Sequence, residues 1–374
     1  MSAPDAPAPT GEQVAVVALA GLELLGPVRL RRLVEHFGSA EAALRAVRDE
    51  QATRVLCAGE WPSRRAAMAD VCARFPALLD VDATRRRMTH RGTRVWFEGE
   101  PDSPIPDPLP RMPIALFAEG GRVDALAAPR VGIVGTRSAT PHGLEDARDL
   151  AATLADAGIT VVSGLALGID GAAHAGAVDA GGLTIGVVAT GLDVEYPRRH
   201  RALYGRVREH GLVLGETGFG VGPTTWRFPI RNRIIAAISD VVVVVEATET
   251  GGARITAEYA LQYDRPVLAV PGSRRNAAAA GTNALLRDGA GPLTDWHDVI
   301  LMLGMTPGAR RAAPVRAAPD RHGRAVLAAL GGDPASPEQL VERTGLPPDE
   351  IALVVRTLEH ARWITWSKGL VWPR

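Results

Sequence analysis

From Arg130 onward the chain alternates short apolar runs with Gly- or Ser-containing loops and Ala-rich helical stretches. The apolar runs are Val131–Val134, Thr160–Val162, Thr184–Ala189, Leu212–Leu214, Val241–Val245 and Pro266–Val270. A run as unbroken as Val241–Val245 shows no polar alternation. That predicts strands buried on both faces, the environment created by helices on either side of a parallel sheet. The pattern therefore predicts an α/β domain over residues 130–305, a Rossmann-like, doubly wound parallel sheet.

On the N-terminal side, Gln13–Leu25, Pro27–Phe37 and Ser39–Asp49 read as helices, the second with Leu30, Leu33, Val34 and Phe37 at helical spacing. Pro27 suits a first helical turn and Ser39 an N-cap. Residues 11–80 thus read as an N-terminal helical domain behind a disordered Pro/Ala-rich tail, 1–10. Residues 81–129 read as a connector, because the stretch from Pro101 to Pro113 holds six prolines, which remove donors and oppose regular pairing. A second Pro/Ala/Arg-rich linker, 306–320, leads to 321–374. There His322–Leu330, Pro337–Arg343 and Pro348–Glu359 read as helices, followed by Trp363–Trp366 and Leu370–Trp372 around Ser367-Lys368-Gly369. Ser336, Pro337 and Gln339 make an N-cap, a first-turn proline and a capping-box partner. Three helices and a hairpin predict a winged helix.

Composition narrows the function classes. Lys plus Arg and Asp plus Glu balance at 42 each, so attraction to an anionic polymer would have to come from a local patch. The cations are almost all Arg, and Lys368 is the sole lysine. A Walker P-loop, a kinase-type ATP lysine and a Schiff-base lysine are therefore excluded from the central domain. Cys57 and Cys72 form no C-x-x-C pair, and no H-E-x-x-H occurs, so no disulfide framework, familiar zinc site or other metal site is read. The apolar stretches are short and the N-terminus lacks a basic region followed by an apolar one, so the expectation is no membrane span, no signal peptide and a cytoplasmic location.

In an open parallel sheet, ligands bind beyond the carboxyl ends of the strands. The first strand is followed by Gly135-Thr136-Arg137-Ser138, offering close backbone approach, hydroxyls and a guanidinium suited to phosphate. The second ends in Ser163-Gly164-Leu165-Ala166-Leu167-Gly168-Ile169-Asp170-Gly171, with glycines ahead of a helix start, an anion-binding arrangement. His174, on that helix, reads as a packing residue rather than a catalyst. Gly132 and Gly135 do not make G-x-G-x-x-G, and no acid closes the second strand, so NAD binding is not expected. The third strand leads through Thr190-Gly191-Leu192-Asp193 to the basic Tyr196-Pro197-Arg198-Arg199-His200-Arg201, where Arg199 and Arg201 read as solvated.

Between Trp226 and Ile235, three arginines and two aromatics interleave with no acid nearby: Trp226-Arg227-Phe228-Pro229-Ile230-Arg231-Asn232-Arg233-Ile234-Ile235. Single-strand binders use that combination, aromatic faces stacking bases while Arg holds the backbone. Core packing could claim Phe228, Ile234 and Ile235, and is not expected to claim Arg231 and Arg233. After the fifth strand come Glu246-Ala247, Glu249-Thr250-Gly251-Gly252 and Ile255-Thr256-Ala257. The sixth is followed by Pro271-Gly272 and Gly281-Thr282-Asn283.

In order and spacing over about 165 residues, these segments resemble the DprA/Smf family of DNA-processing proteins. The segments that carry the likeness are Gly135-Thr136-Arg137, the Ser163-Gly164 to Asp170 loop, Gly191-Leu192-Asp193 with Tyr196-Pro197, Phe228-Pro229 with Arg231-Asn232-Arg233-Ile234-Ile235, Pro271-Gly272 and Gly281-Thr282-Asn283. The resemblance implies a Rossmann-like core flanked by an N-terminal helical (SAM/HhH-like) domain and a C-terminal winged helix. It also implies a cytoplasmic homodimer that binds single-stranded DNA and loads the RecA recombinase during natural transformation, with no cofactor and no catalytic activity. On that reading the DNA- and phosphate-binding residues are Gly135, Thr136, Arg137, Ser163, Gly164, Phe228, Arg231, Asn232, Arg233, Gly252 and Thr256. The chain departs from the family at Leu167, where Arg is expected, at Gly251, where a Ser precedes the second glycine, and at Gly215, in place of the Ser before Glu216.

Two other readings belong to different classes. A nucleotide phosphoribohydrolase would need Gly-Gly-x-Gly-Thr-x-x-Glu, whereas Gly251-Gly252 is followed by Thr256 and Glu258 at the wrong spacing. A nucleotide-sensing Rossmann-like module would bind a small phosphate ligand in the same loops.

Overall fold

A computed structural model describes residues 8–58, 62–105, 109–305, 319–361, 363–367 and 369–373. Residues 1–7 of the expected tail, most of the second linker (306–318) and Lys368 of the expected turn lie outside the described residues.

The N-terminal helices are α1 (Gly11–Ala20), α2 (Gly26–Phe37), α3 (Ala40–Arg48), α4 (Ala52–Cys57), α5 (Pro62–Cys72), α6 (Phe75–Leu78) and α7 (Val81–Arg91). Thr10 and Gln13 close a capping box on α1, Pro27 sits in the first turn of α2, and the Ser39 hydroxyl caps α3 by accepting from Ala42 N at 3.1 Å. Leu19, Leu33 and Leu56 are fully buried and share one core with Phe117, Val188, Tyr204 and Val213 of the central domain. The helical domain is therefore packed on the sheet rather than hung from a linker.

The segment read as a connector supplies α7 and two strands, β1 (Arg94–Phe97) and β2 (Ala115–Glu119). This corrects the expected boundary at residue 130. The described part of the proline-rich stretch forms only the connection between the two strands, whose own residues can pair: Val95 faces Phe117, and Phe117 in turn faces Gly215.

The predicted strands follow: β3 (Arg130–Val134), β4 (Thr160–Ser163), β5 (Thr184–Val187), β6 (Gly211–Gly215), β7 (Val241–Val244) and β8 (Val267–Ala269), with a two-residue β9 (Gly291–Pro292) at the far edge. The intervening helices are α8 (Pro141–Asp156), α9 (Ile169–Asp179), α10 (Arg201–His210), α11 (Arg227–Ile238), α12 (Gly252–Gln262), α13 (Ala280–Arg287) and α14 (Trp296–Met302). The sheet order is β1-β2-β6-β5-β4-β3-β7-β8-β9. It is parallel from β6 to β9 and antiparallel where β2 joins β6 and β1 joins β2. Both sheet faces are covered: α8 and α9 pack on Val131, Ile133 and Val161, and α11 and α12 on Val242 and Val244.

The chain steps outward from β3 through β4, β5 and β6, then returns to β3's other side with β7. The carboxyl ends of β3 and β7 are thus the topological switch point, where the loops diverge and leave a crevice.

The C-terminal unit comprises α15 (Arg321–Leu330), α16 (Pro337–Thr344), α17 (Pro348–His360) and a hairpin of β10 (Ile364–Ser367) with β11 (Leu370–Pro373). The capping box of Ser336 and Gln339 starts α16. Its core, built on Val326, Leu340, Val355 and Ile364, is separate from that of the sheet. It touches α8 through the Trp372 ring, edge-on to His142 at 5.1 Å between centroids, and through Thr365, which donates to Glu145 at 3.3 Å.

Candidate nucleic-acid interface

At the switch point lies an open cavity of about 500 Å³, within the range of sites that enclose one small ligand. The loop after β3 forms one wall. Gly135 is required there because a Cβ would sit 2.4 Å from Ile169 Cγ1 and 2.8 Å from the Glu246 carbonyl. Thr136 N–H donates to that same carbonyl at 2.8 Å, which ties the β3 and β7 loops together. Arg137 is exposed, has no carboxylate partner among the described residues, and lies over the Phe228 ring at 4.6 Å from its centroid. A guanidinium without a carboxylate partner, positioned over an aromatic ring, can grip phosphate through its fork.

Phe228, Arg231 and Asn232 reach the cavity from α11, and Tyr196 lies against Phe228 at 5.7 Å. Beside α11, α12 begins at Gly251 and Gly252 with no side-chain cap on its first N–H groups, and both glycines line the cavity. Asn232 Nδ2 donates to the Gly252 carbonyl at 3.1 Å. That is the carbonyl to which Thr256, one turn on, could have bonded back. The Thr256 hydroxyl, 1% exposed, is left without a partner at the cavity wall. Uncapped helical N–H groups and an unpaired buried hydroxyl together make an acceptor-seeking surface, suited to phosphate oxygens.

Asp170, in the first turn of α9, forms the cavity floor and is buried beside Arg231. Burial pushes the Asp170 carboxyl up from its ordinary range, and the Arg231 guanidinium pulls it back. Burial likewise lowers Arg231, against the pull of Asp170. The buried pair is self-compensating, so the positive charge offered to a ligand comes from Arg137 and the helix N-termini.

Eight of the expected binding residues meet in this cavity: Gly135, Thr136, Arg137, Phe228, Arg231, Asn232, Gly252 and Thr256. Ser163, Gly164 and Arg233 do not line it. Ser163 is fully buried and donates to the Ile133 carbonyl at 2.6 Å, joining β4 to β3. Gly164 borders a smaller adjoining cleft, where a Cβ would meet Arg231 Nη2 at 2.5 Å and Asp170 Oδ2 at 2.6 Å. Leu167 lines that cleft too, half-buried, while Leu165 is the loop's core residue.

The expectation that packing would not claim Arg231 and Arg233 is corrected. Arg231 is 4% exposed and donates to the carbonyls of Gly164, at 2.7 Å, and Val187. Arg233 is 3% exposed, forks onto Glu216 at 2.9 and 2.6 Å, and donates to the Arg111 carbonyl at 2.7 Å. A buried guanidinium is tolerated where carboxylate and carbonyls satisfy its donors. Glu216, from the loop after β6, is the acid that a local reading of α11 missed. Asp170 and Tyr196 were also missed as cavity residues. The acid inside an otherwise apolar loop and the aromatic before the arginines were the available signals.

His174 is fully buried, with Nδ1 2.7 Å from the Thr184 hydroxyl. Burial, aided by nearby His200, lowers its pKa to about 3, so it is a neutral packing residue. Among the described residues no helix is long and apolar enough to cross a membrane.

Comparison with known proteins converges on one family. Residues 103–304 match the family described as DNA recombination-mediator protein A, and residues 310–369 match the DprA winged helix domain. A putative DNA processing protein DprA of Mycobacterium tuberculosis H37Rv is 44% identical over 198 residues, covering 53% of this chain and 51% of that protein. The chain thus matches about half the length of that relative. The X-ray structure of DNA processing protein A from Streptococcus pneumoniae superposes with a TM-score of 0.61 at 29% identity, covering 78% of this chain and 97% of that one. A Helicobacter pylori DNA processing protein A, whose structure concerns its single-stranded DNA binding mode, superposes with a TM-score of 0.50 at 29% identity, covering 57% and 96%.

Proposed function

This chain belongs to the DprA/Smf family of DNA-processing proteins, and from that premise we propose that its switch-point cavity holds one nucleotide of a single DNA strand, the rest of the strand crossing the rim. The observation that carries the reading is Arg137: exposed, without a carboxylate partner among the described residues and lying over Phe228, in a cavity also lined by an uncapped helix start. The phosphate sits between Arg137 and the first turn of α12, where Thr256 can donate to it. The base lies against the exposed Tyr196 ring beside Phe228, a surface that only an unstacked nucleotide can reach. A duplex keeps its bases stacked and cannot enter.

The protein on this reading binds rather than cleaves. Asp170 is the carboxylate lining the cavity and is buried near Arg231, while Glu258 is exposed outside it, so among the described residues no exposed carboxylate lines the cavity as a phosphoribohydrolase would require. Handing the bound strand to a RecA-type recombinase, dimerisation and a cytoplasmic role in transformation are the family's properties, proposed here with it.

Gel shifts with single-stranded and duplex DNA of one sequence test the reading, together with Arg137→Ala. Single strands should bind more tightly. The variant should weaken binding of all sequences alike and lower the slope of log affinity against log salt by about 0.7, the value for one phosphate contact on a single strand. Equal affinity for duplex, or an unchanged slope in Arg137→Ala, would overturn it.

A further inference from the structure

Trp226 immediately precedes α11 and is outside the cavity that its neighbours Thr225 and Phe228 line. Its indole is 45% exposed, a large apolar surface left in water at the edge of a charged site. The ring is not loose. The Arg227 guanidinium lies over it at 4.8 Å from the centroid and is itself fixed, donating to the Glu23 carbonyl at 2.8 Å and to the Gly222 carbonyl at 3.2 Å. The N-terminal domain borders the indole at its edge: Gly26 lies near ring atom Cη2, and Gly26, Pro27 and Leu30 share a narrow cleft with it. Leu24 and Val28, near Gly26 and Pro27 in sequence, are 55% and 71% exposed. An aromatic plane held by a cation on one face and open to solvent beside a nucleotide-sized cavity fits a further nucleobase.

We propose that Trp226 is an outer stacking platform for the base next to the nucleotide held in the cavity, so that the N-terminal domain takes part in shaping the DNA path. The inference rests on the cavity reading above. The cavity is too small for more than one or two nucleotides, and Trp226 directly follows Thr225 of its lining, so a strand leaving on that side passes the indole. Arg227, backed by carbonyls, holds the indole through a cation–π contact, so the ring is ordered before a base stacks on it.

The test uses the full chain with two fluorescently labelled probes, a thymidine mononucleotide that can fill only the cavity and an oligothymidylate of about 12 nucleotides, within the range of single-strand site sizes. Wild type should bind the oligomer more tightly. Trp226→Leu, which keeps an apolar contact with Pro27 and Leu30 but has no ring, should lose roughly 5- to 150-fold on the oligomer, the span reported for one stacked base, and no more than about twofold on the mononucleotide. Trp226→Phe should stay within about threefold of wild type on both. Melting temperatures of the variants identify any loss of packing. Leu and Phe variants that behave alike, or a loss equal for both probes, would overturn the platform. Phe228→Ala should weaken binding of both probes, and wild type that binds neither probe would overturn the cavity reading and the platform with it.

Discussion

Replacing Arg231 by Met keeps an unbranched apolar stem and removes a buried charge with its donors. The guanidinium supports the carbonyls of Gly164 and Val187 and faces Asp170, itself 6% exposed. Its loss removes the cation that acts most strongly on a buried carboxylate and strips both carbonyls of this donor. Removing a buried cation that faces a buried carboxylate costs up to about 3–5 kcal/mol, the range for a broken buried ion pair and a large part of the roughly 5–15 kcal/mol that holds a domain folded. The loss should depend on pH. Burial already raises the Asp170 carboxyl, and Arg231 is the largest influence opposing it. Without that cation, Asp170 holds its proton still more tightly in the folded chain than in the unfolded one. The folded state then binds more protons, so stability falls as pH rises from the unfolded carboxyl value, about 3.9, through the folded value. The penalty of Arg231→Met relative to wild type should therefore be larger at pH 8 than at pH 5, by up to about 1.4 kcal/mol for each unit that the folded value rises within that window. Urea denaturation at both pH values measures it, with Arg231→Met/Asp170→Asn as the companion, which should recover part of the loss. A penalty equal at both pH values and undiminished in the double variant would refute the pairing.

Leu167→Arg adds a cation to the cleft beside Arg137 and, because Leu167 is half-buried rather than core, should leave the melting temperature nearly unchanged. Its salt slope for single strands should steepen by about 0.7, and a folded variant with an unaltered slope would show that this loop does not touch DNA. Glu216→Gln removes the partner of buried Arg233 and should cost about 3–5 kcal/mol in denaturation, with no change in salt slope in the folded protein, since neither residue lines the cavity. Ending the chain at Asp320 removes a unit with its own core, and α17 carries exposed Asp349 and Glu359 and half-buried Glu350 against Arg356. Single-strand affinity should stay within about twofold, because phosphates are repelled by such a face; a large loss in a folded truncation would refute this.

Much of the fold is legible in the sequence because its determinants are local. Continuous Val runs, Gly turns, Ser39, the Ser336 capping box and Pro27 act within a few residues of themselves, and β3 to β8 and the winged helix lie where those signals put them. The cavity was legible to the extent that strand-end loops must meet at the switch point, which brought Arg137, Phe228, Asn232 and Thr256 together. What only the tertiary structure decided depends on partners distant in the chain. Arg233 became a core residue because Glu216 and the Arg111 carbonyl arrive from other elements, and Arg231 because two carbonyls and Asp170 close around it. Residues 94–97 and 115–119 became strands because β6 offered an unpaired edge, and the helical domain joined the sheet's core because Phe117 and Val213 needed cover. Whether a charged or apolar side chain faces solvent is a property of what folds against it, and the sequence around that side chain does not carry it.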